Sequence, residues 1–505
     1  MYRKKIIFLI LVFISTFLIS CNGKTDNTIV YNLVDRPTTI DPHQFSEMIS
    51  VQVLSTINEG LLRLNSKGEY ELGLASSFKE KDNVLEFKLK KGLKWSDGTD
   101  LTEDDIVFGI RRALNKKTAA RYAELLFPIK NAKKYNKGEV SESELGVKNV
   151  NGNIVITLEK PTPYFKYILT MPISFPVKNG MDSEISDFKK TVYSGAFVID
   201  EMNDAKIVLK KNKYYWDKNN VSIDKIKYIM VNKFDVIENL IKNNEIDITR
   251  VEPFDLETKI QNKELIRFQN GRVWYIDFNL KNELLKNKEV RQAINEAIDR
   301  NKYVLDIKLD GSKVAKSVIS PVFAKYREKY DDKDYFIDNK ENNILSGKTI
   351  RLLASNSTPE IKEASFIQEE LRKKLNLDVQ ITIVTFKERL ALTRQGEFDM
   401  VLNTYSPKFD DPISILDRWN KPQKDTYDVW RKKEYEDLLE KISKETNNTK
   451  RYELMNEAEK ILIDDIVIAP LYFSTENWYV RKNLKNIVVH PISTRMDVSK
   501  IEKEN

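Results

Sequence analysis

Cysteine and histidine are the residues through which a chain most often does covalent or metal chemistry, and this 505-residue sequence has one cysteine, Cys21, and two histidines, His43 and His490. One cysteine cannot close an internal disulfide. Two histidines at opposite ends of the chain undersupply both a zinc site and a histidine-based catalytic triad. The acidic run Glu103-Asp104-Asp105 could suggest a metal. It follows Thr102, however, and precedes Ile106, Ile110 and Leu114 at helical spacing. This pattern reads as a capped helix whose first-turn carboxylates complement the positive end of the dipole on a solvated face. The sequence has no Gly-x-Ser-x-Gly elbow, no His-Glu-x-x-His and no phosphate loop. Binding therefore ranks above catalysis.

The chemistry open to Cys21 depends on what precedes it. Arg3, Lys4 and Lys5 open a 14-residue uncharged run, Ile6 to Ile19, which closes on Leu18-Ile19-Ser20-Cys21. A spanning helix needs about 20 apolar residues, so the run reads as an export signal. Its ending resembles the bacterial lipobox, which implies cleavage before Cys21 and acylation of the thiol. Two or three acyl chains hold a protein stably at a bilayer surface. Removal of residues 1–20 takes three of the 83 basic residues, leaving 80 against 76 acidic ones. The charges are interleaved and form no basic arm, so nucleic acid is not an expected partner.

With 41% hydrophobic residues the chain can fill packed cores, and its length suits two to four domains. Leu85, Phe87 and Leu89 alternate with polar residues, as do Ile154, Ile156 and Leu158 after the turn pair Asn151-Gly152, predicting half-buried strands of a β-rich region. An internal echo says more. Residues 226–250 read strand, helix, strand and end in Asn244-Glu245-Ile246-Asp247-Ile248; residues 350–402 read strand, helix, strand, helix, strand and end in Gly396-Glu397-Phe398-Asp399-Met400. Two similar α/β lobes with a cleft between them explain the echo.

Several segments, in order, carry a family resemblance: Ile40-Asp41-Pro42-His43, Asn58-Glu59-Gly60-Leu61-Leu62, Leu93-Lys94-Trp95-Ser96-Asp97-Gly98-Thr99, Ser194-Gly195-Ala196-Phe197, Asn212-Lys213-Tyr214-Tyr215-Trp216-Asp217, Val290-Arg291-Gln292-Ala293-Ile294 and Asp411-Pro412. Together they resemble the extracytoplasmic oligopeptide-binding lipoproteins of bacterial ABC importers, the peptide and nickel family 5 of solute-binding proteins. The resemblance implies an α/β, two-lobed periplasmic-binding-protein-like fold (type II) with an extra β-rich domain. The corresponding division is a signal peptide at 1–20, lobe I at 28–60, 186–273 and 475–505, the β-rich domain at 61–185, and lobe II at 274–474. It further implies a monomer, lipid-anchored outside the cytoplasm at the cell membrane, that encloses a peptide as a short added strand and hands it to ABC permease subunits, with no cofactor, metal or turnover. Trp-Ser-Asp-Gly-Thr is read as a structural turn with Gly98 at positive φ.

For the ligand site the resemblance points to the segment from Met400 to Asp411, including Tyr405 and Ser406. Phe386 and Tyr405 match positions where similar proteins place tryptophans against ligand side chains; either could instead be core. Trp274 and Tyr275 lie at the expected crossover, 271–279, and Tyr122 is a further candidate from the β-rich region. One position departs from the pattern. Relatives commonly carry an aspartate that pairs with the peptide's α-amine, where this chain has Lys408 in Tyr405-Ser406-Pro407-Lys408-Phe409. The inversion predicts weak binding of free-amine peptides unless Asp410 or Asp411 supplies the carboxylate, with Asp411-Pro412 more suited to ending the loop. Open alternatives are an N-blocked or modified peptide, a dipeptide or a metal chelate on the same scaffold and, ranked lower, an extracytoplasmic enzyme or adhesin.

Overall fold

A computed structural model describes residues 27–251, 264–331, 335–338, 340–420 and 430–504. Cys21 and residues 1–20, where the export signal is expected, lie outside the described residues, among which no helix is long and apolar enough to cross a membrane.

The internal echo becomes a symmetric sheet. In lobe I the strand Thr28–Asn32 lies parallel to Lys225–Ile229 on one side and to Ile248–Arg250 on the other; in lobe II Thr349–Ser355 lies parallel to Asp378–Val384 and to Met400–Tyr405. Each lobe thus starts with its middle strand, adds the outer one, and returns to the inner position. Parallel neighbours need crossovers, which the helices Phe234–Lys242, Thr358–Leu375 and Phe386–Gln395 supply.

The paired acidic echo has a structural reason. The Asp247 carboxylate accepts the N–H of Val30 at 2.8 Å and that of Asp399 accepts the N–H of Arg351 at 2.9 Å. Val30 and Arg351 are each the third residue of their lobe's middle strand. The aspartate ties the turn after the crossover helix to the strand the next element must pair with.

Two long antiparallel strands, Leu265–Phe278 and Ile468–Val480, run between the inner strands of the two lobes and join everything into one 11-stranded sheet. Their pairing shifts register between Gln269 and Val273. Gly271 sits in that interruption at φ 78°, and an added Cβ would come within 2.9 Å of both Ile492 and Pro407. Lobe II packs helices on both faces of its sheet, with Ile350, Leu352, Ile367, Leu371 and Met400 in one core and Leu416, Tyr435, Leu439, Met455 and Leu462 in another.

The β-rich region is a four-stranded antiparallel sheet, Ala75–Lys81, Val84–Leu89, Asn153–Thr157 and Val147–Val150 in spatial order. Asn151-Gly152 makes its two-residue hairpin turn with both residues at positive φ. The helix Glu103–Leu114 buries Ile106, Ile110 and Leu114 as its spacing predicts. Of its acidic residues, Asp105 does not lie on a solvated face: it is 5% exposed and accepts from Trp95 Nε1 at 3.2 Å, from the Thr102 N–H at 2.9 Å and from the Asn179 N–H at 2.8 Å. Glu103 and Asp104 remain accessible. Gly98 takes positive φ in the Trp95–Thr99 turn, as expected.

Candidate functional site

The strand Met400–Tyr405 hands the chain to a loop pinned at both ends. At its start the Ser406 hydroxyl accepts from Arg272 Nε at 3.0 Å. At its end the Asp411 carboxylate caps the Ile413 N–H at 3.0 Å and takes both terminal nitrogens of Arg451, at 2.6 and 2.7 Å, with both side chains buried. The fork matches the carboxylate bidentately, and Asp411 holds the Arg451 pKa above its ordinary value despite burial. Asp411 therefore ends the loop structurally. The residues between are left to face a cavity.

That cavity, of about 180 Å³, lies where three parts of the chain meet. Lobe II contributes Ser406 to Asp410. Lobe I contributes Met48, Val51 and Ser55 from the helix Met48–Ile57, together with His490 to Ser493 and Arg495. The β-rich side contributes Tyr122, Tyr167, Met171 and Pro172. Its walls are mostly apolar, and besides Lys408 three polar groups stand out against them. Asp410 has no ion-pair partner within 4.0 Å among the described residues; burial and the neighbouring Asp411 charge push its carboxyl up to about 7. His490 is 1% exposed with neither ring nitrogen hydrogen-bonded, and burial, then Arg495, holds it down at about 3, so it is neutral at ordinary pH. Arg495 has neither an ion pair nor a side-chain hydrogen bond among the described residues, and burial lowers its pKa.

A second, polar cavity of about 600 Å³ shares Lys408 and Phe409 with the first and continues between lobe II and the β-rich region past Glu124, Lys160, Tyr405, Asp417 and Glu436. Contacts cross it. Phe409 stacks on Tyr164 with ring centres 4.9 Å apart, Lys408 Nζ lies 3.4 Å from Glu124 and Lys160 Nζ donates to Ser443 at 2.8 Å. Among the described residues no cluster of His, Cys, Asp and Glu could hold a metal.

The family model described as bacterial extracellular solute-binding proteins, family 5 middle, matches residues 69–427. The chain belongs to family 5. It is 27% identical over 491 residues to the dipeptide-binding protein DppE of Bacillus subtilis, covering 92% of this chain and 90% of that one. The oligopeptide-binding protein OppA of the same organism is 28% identical, with 92% and 91% covered. In fold the chain superposes on the unliganded open form of the periplasmic murein tripeptide-binding protein MppA with a TM-score of 0.78 and 23% identity, covering 95% of this chain and 98% of that one. The fold is thus the two-lobed type II arrangement, and the protein is an extracellular solute-binding protein, a binding protein rather than an enzyme.

Within this family 5 protein the residues singled out from sequence separate into groups. Ser406, Lys408, Asp410 and Tyr122 line the first cavity, Tyr122 with its ring 5.0 Å from Phe45. Tyr405 lines the second, 6.4 Å from Trp419, its phenol pushed up to about 12 by burial and then by Asp417. The rest lie elsewhere. Tyr275 is 1% exposed inside a lobe II core, 6.1 Å from Trp419, and has no surface to offer a ligand, because alternation along the strand turns it away from the face that Trp274 shares. Trp274 stacks on Tyr472 at 5.8 Å and packs against the other lobe II core. Phe386 is 57% exposed at the start of its helix and lines neither cavity, so it is not core either.

His490 and Arg495 were not anticipated. The rarity of histidine drew attention to His490 only as a metal ligand or triad member, and nothing local marks Arg495. His43 belongs to a structural cluster: Arg112 donates to its Nδ1 at 2.8 Å and to Asp41 at 3.0 Å.

The charge inversion at Lys408 meets a partner that the sequence could not reveal. Glu124 offsets it across the second cavity, and both side chains are about 40% exposed or more. An exposed pair contributes at most about 1 kcal/mol. Lys408→Ala is therefore expected to change the affinity for a free-amine peptide by less than about fivefold. Titration calorimetry of wild type and variant checks this; a gain of about a hundredfold would show that the lysine acts as a bare repulsive charge.

Proposed function

We propose that this chain is a lipid-anchored carrier that captures peptides in the cavity between its lobes and delivers them to ABC permease subunits. The observation that carries the reading is the convergence of a pinned lobe II loop, a lobe I turn and the β-rich region on one mostly apolar cavity beside two strands that join the lobes. A cavity placed there opens and shuts as the lobes move, which suits a protein that must both hold a ligand and release it. The division at 28–60, 186–273 and 475–505 for lobe I, 61–185 for the β-rich domain and 274–474 for lobe II belongs to the same reading. It is supported by hydrophobic clusters that follow those segments closely. Cys21, the only cysteine, is the proposed acylation site, and the working form is a monomer.

Full-length protein isolated from membranes of cells fed labelled palmitate tests both halves. Wild type is expected to carry the label and, in native mass spectrometry, a substoichiometric to stoichiometric load of peptide. Cys21→Ala should lose the label and leave the membrane while keeping the peptide. Labelled Cys21→Ala would remove the anchor from the proposal, and protein that neither retains nor takes up peptide would remove the carrier.

A further inference from the structure

We propose that the bare sheet face of lobe I, built around Lys225 and Lys227, rests on the anionic headgroups of the bilayer that holds the acylated chain. The inference rests on the lipid-anchored reading and names the surface on which that carrier lies.

The outer strands of lobe I, Phe197–Met202, Lys206–Lys211 and Lys225–Ile229, continue the sheet from its middle strand Thr28–Asn32. Alternation sends Ile29, Tyr31, Ile207, Leu209, Ile226 and Tyr228 into the lobe I core. The opposite face carries Lys210, Lys225 and Lys227, all exposed, beside Thr28 and Val30. The crossover helix Phe234–Lys242 packs on that face toward the joining strand, where Ile237 and Ile241 meet Val251 and Tyr479. Lys225 and Lys210 lie directly opposite each other across the antiparallel pair, an arrangement that costs stability in water. Acids on the face offset part of this charge: Asp200 takes Lys210 at 2.6 Å and Glu201 takes Lys206 at 2.9 Å. Lys225 and Lys227 form no ion pair among the described residues, not even with Asp224 just before them.

Where the tether enters decides the partner. Tyr31 pairs with Ile248, which pairs with Val480 at the lobe I end of the joining strand, so Thr28 lies beyond that level, at the end of lobe I remote from lobe II. Thr28 is the lateral neighbour of Lys225, and its carbonyl accepts Lys503 Nζ at 2.7 Å. Asn27, the first described residue, follows Cys21 by six residues, and six residues span at most about 20 Å. An acylated Cys21 therefore keeps the lysine face within a few Debye lengths of the headgroups at physiological ionic strength. Each lysine gains little from an anionic surface, but the tether removes most of the entropy cost of meeting it, so a pair of unpaired lysines suffices. With lobe I laid on the bilayer, lobe II is the part left free to move.

The test uses the acylated protein isolated from membranes and placed in vesicles of phosphatidylcholine, alone or mixed with an equal part of phosphatidylglycerol. A membrane-impermeant amine-acylating reagent is applied briefly, and labelling of each lysine is read by mass spectrometry of the digested protein. Labelling of Lys225 and Lys227 should fall about fivefold in the anionic vesicles, the population shift that one lysine's attraction to such a surface supplies. Lys373 and Lys433, on lobe II helices, should be labelled equally in both. Salt at about 0.5 M, where the Debye length is about 4 Å, should restore the labelling of the face. In Lys225→Glu/Lys227→Glu, shown to be folded by its thermal melt, Lys210 should lose its protection in the anionic vesicles. Equal labelling of wild type in the two vesicles, or protection that follows protein density rather than lipid charge, as a second copy would give, would overturn this inference and leave the anchor intact. Protein that fails to sediment with phosphatidylcholine vesicles would overturn the anchor reading itself.

Discussion

Arg451→Met is expected to lower the unfolding free energy by about 3–5 kcal/mol, the usual range for removing one partner of a buried pair. The pair is bidentate and its side chains are 3% and 8% exposed. Without Arg451 the Asp411 carboxylate keeps the Ile413 N–H at 3.0 Å but loses its cation, and water cannot replace the guanidinium without opening the packing around Tyr164, whose ring lies 6.0 Å from it. The effect should reach the ligand, because Asp411 is the end-post of the loop that carries Lys408 and Asp410. Urea unfolding of wild type, Arg451→Met, Asp411→Leu and the double variant measures the coupling. The double variant should cost less than the two single costs added together, since no charge is left stranded. A single-variant cost below about 1 kcal/mol would mean that the pair is hydrated and that the loop is held instead by Arg272 and by Ser414, whose hydroxyl accepts the Lys408 N–H at 2.6 Å.

Sequence reached the architecture because its signals are local. Alternation in Val84–Leu89 and Asn153–Thr157, the Asn-Gly turn, the Thr102 cap and the two strand-helix-strand echoes each need only a few neighbouring residues, and each appears as read. The echo even carried its own explanation, because an aspartate that must cap the middle strand's N–H recurs at the same place in both lobes. Where the reading fell short, the deciding partner lay far away in sequence. Asp105 is buried because Asn179, 74 residues later, reaches it, and Lys408 is offset because Glu124, 284 residues earlier, faces it. Tyr275 stands with Trp274 as a candidate because both lie at the crossover, although adjacent strand residues face opposite sides. His490 and Arg495 matter through a cavity assembled from three distant segments, which no spacing rule describes.

Asp410→Asn is expected to change the pH dependence of stability, and the sign separates it from the buried histidines. Asp410 titrates at about 7 in the folded protein against 3.8 for the ordinary side chain. Between those values the folded state holds a proton that the unfolded chain has released, so this group makes stability fall as pH rises from about 4 to about 7. His490 and His43, held at about 3 and about 4 against an ordinary 6.5, do the opposite and make stability rise until about pH 6.5. The wild-type profile therefore partly cancels, and the difference between wild type and Asp410→Asn isolates the aspartate. The variant should match wild type near pH 4 and exceed it by about 2 kcal/mol at pH 8, which is the free-energy equivalent of the raised carboxyl after a discount for its partial exposure. A ligand ammonium beside Asp410 would draw the carboxyl back toward its ordinary range. Binding a free-ended peptide at pH 7 should then release about half a proton from wild type and none from the variant, read as the dependence of binding heat on buffer ionisation enthalpy. Parallel stability profiles, with binding heats that do not depend on the buffer, would mean that Asp410 is ionised in the empty cleft and already satisfied by water.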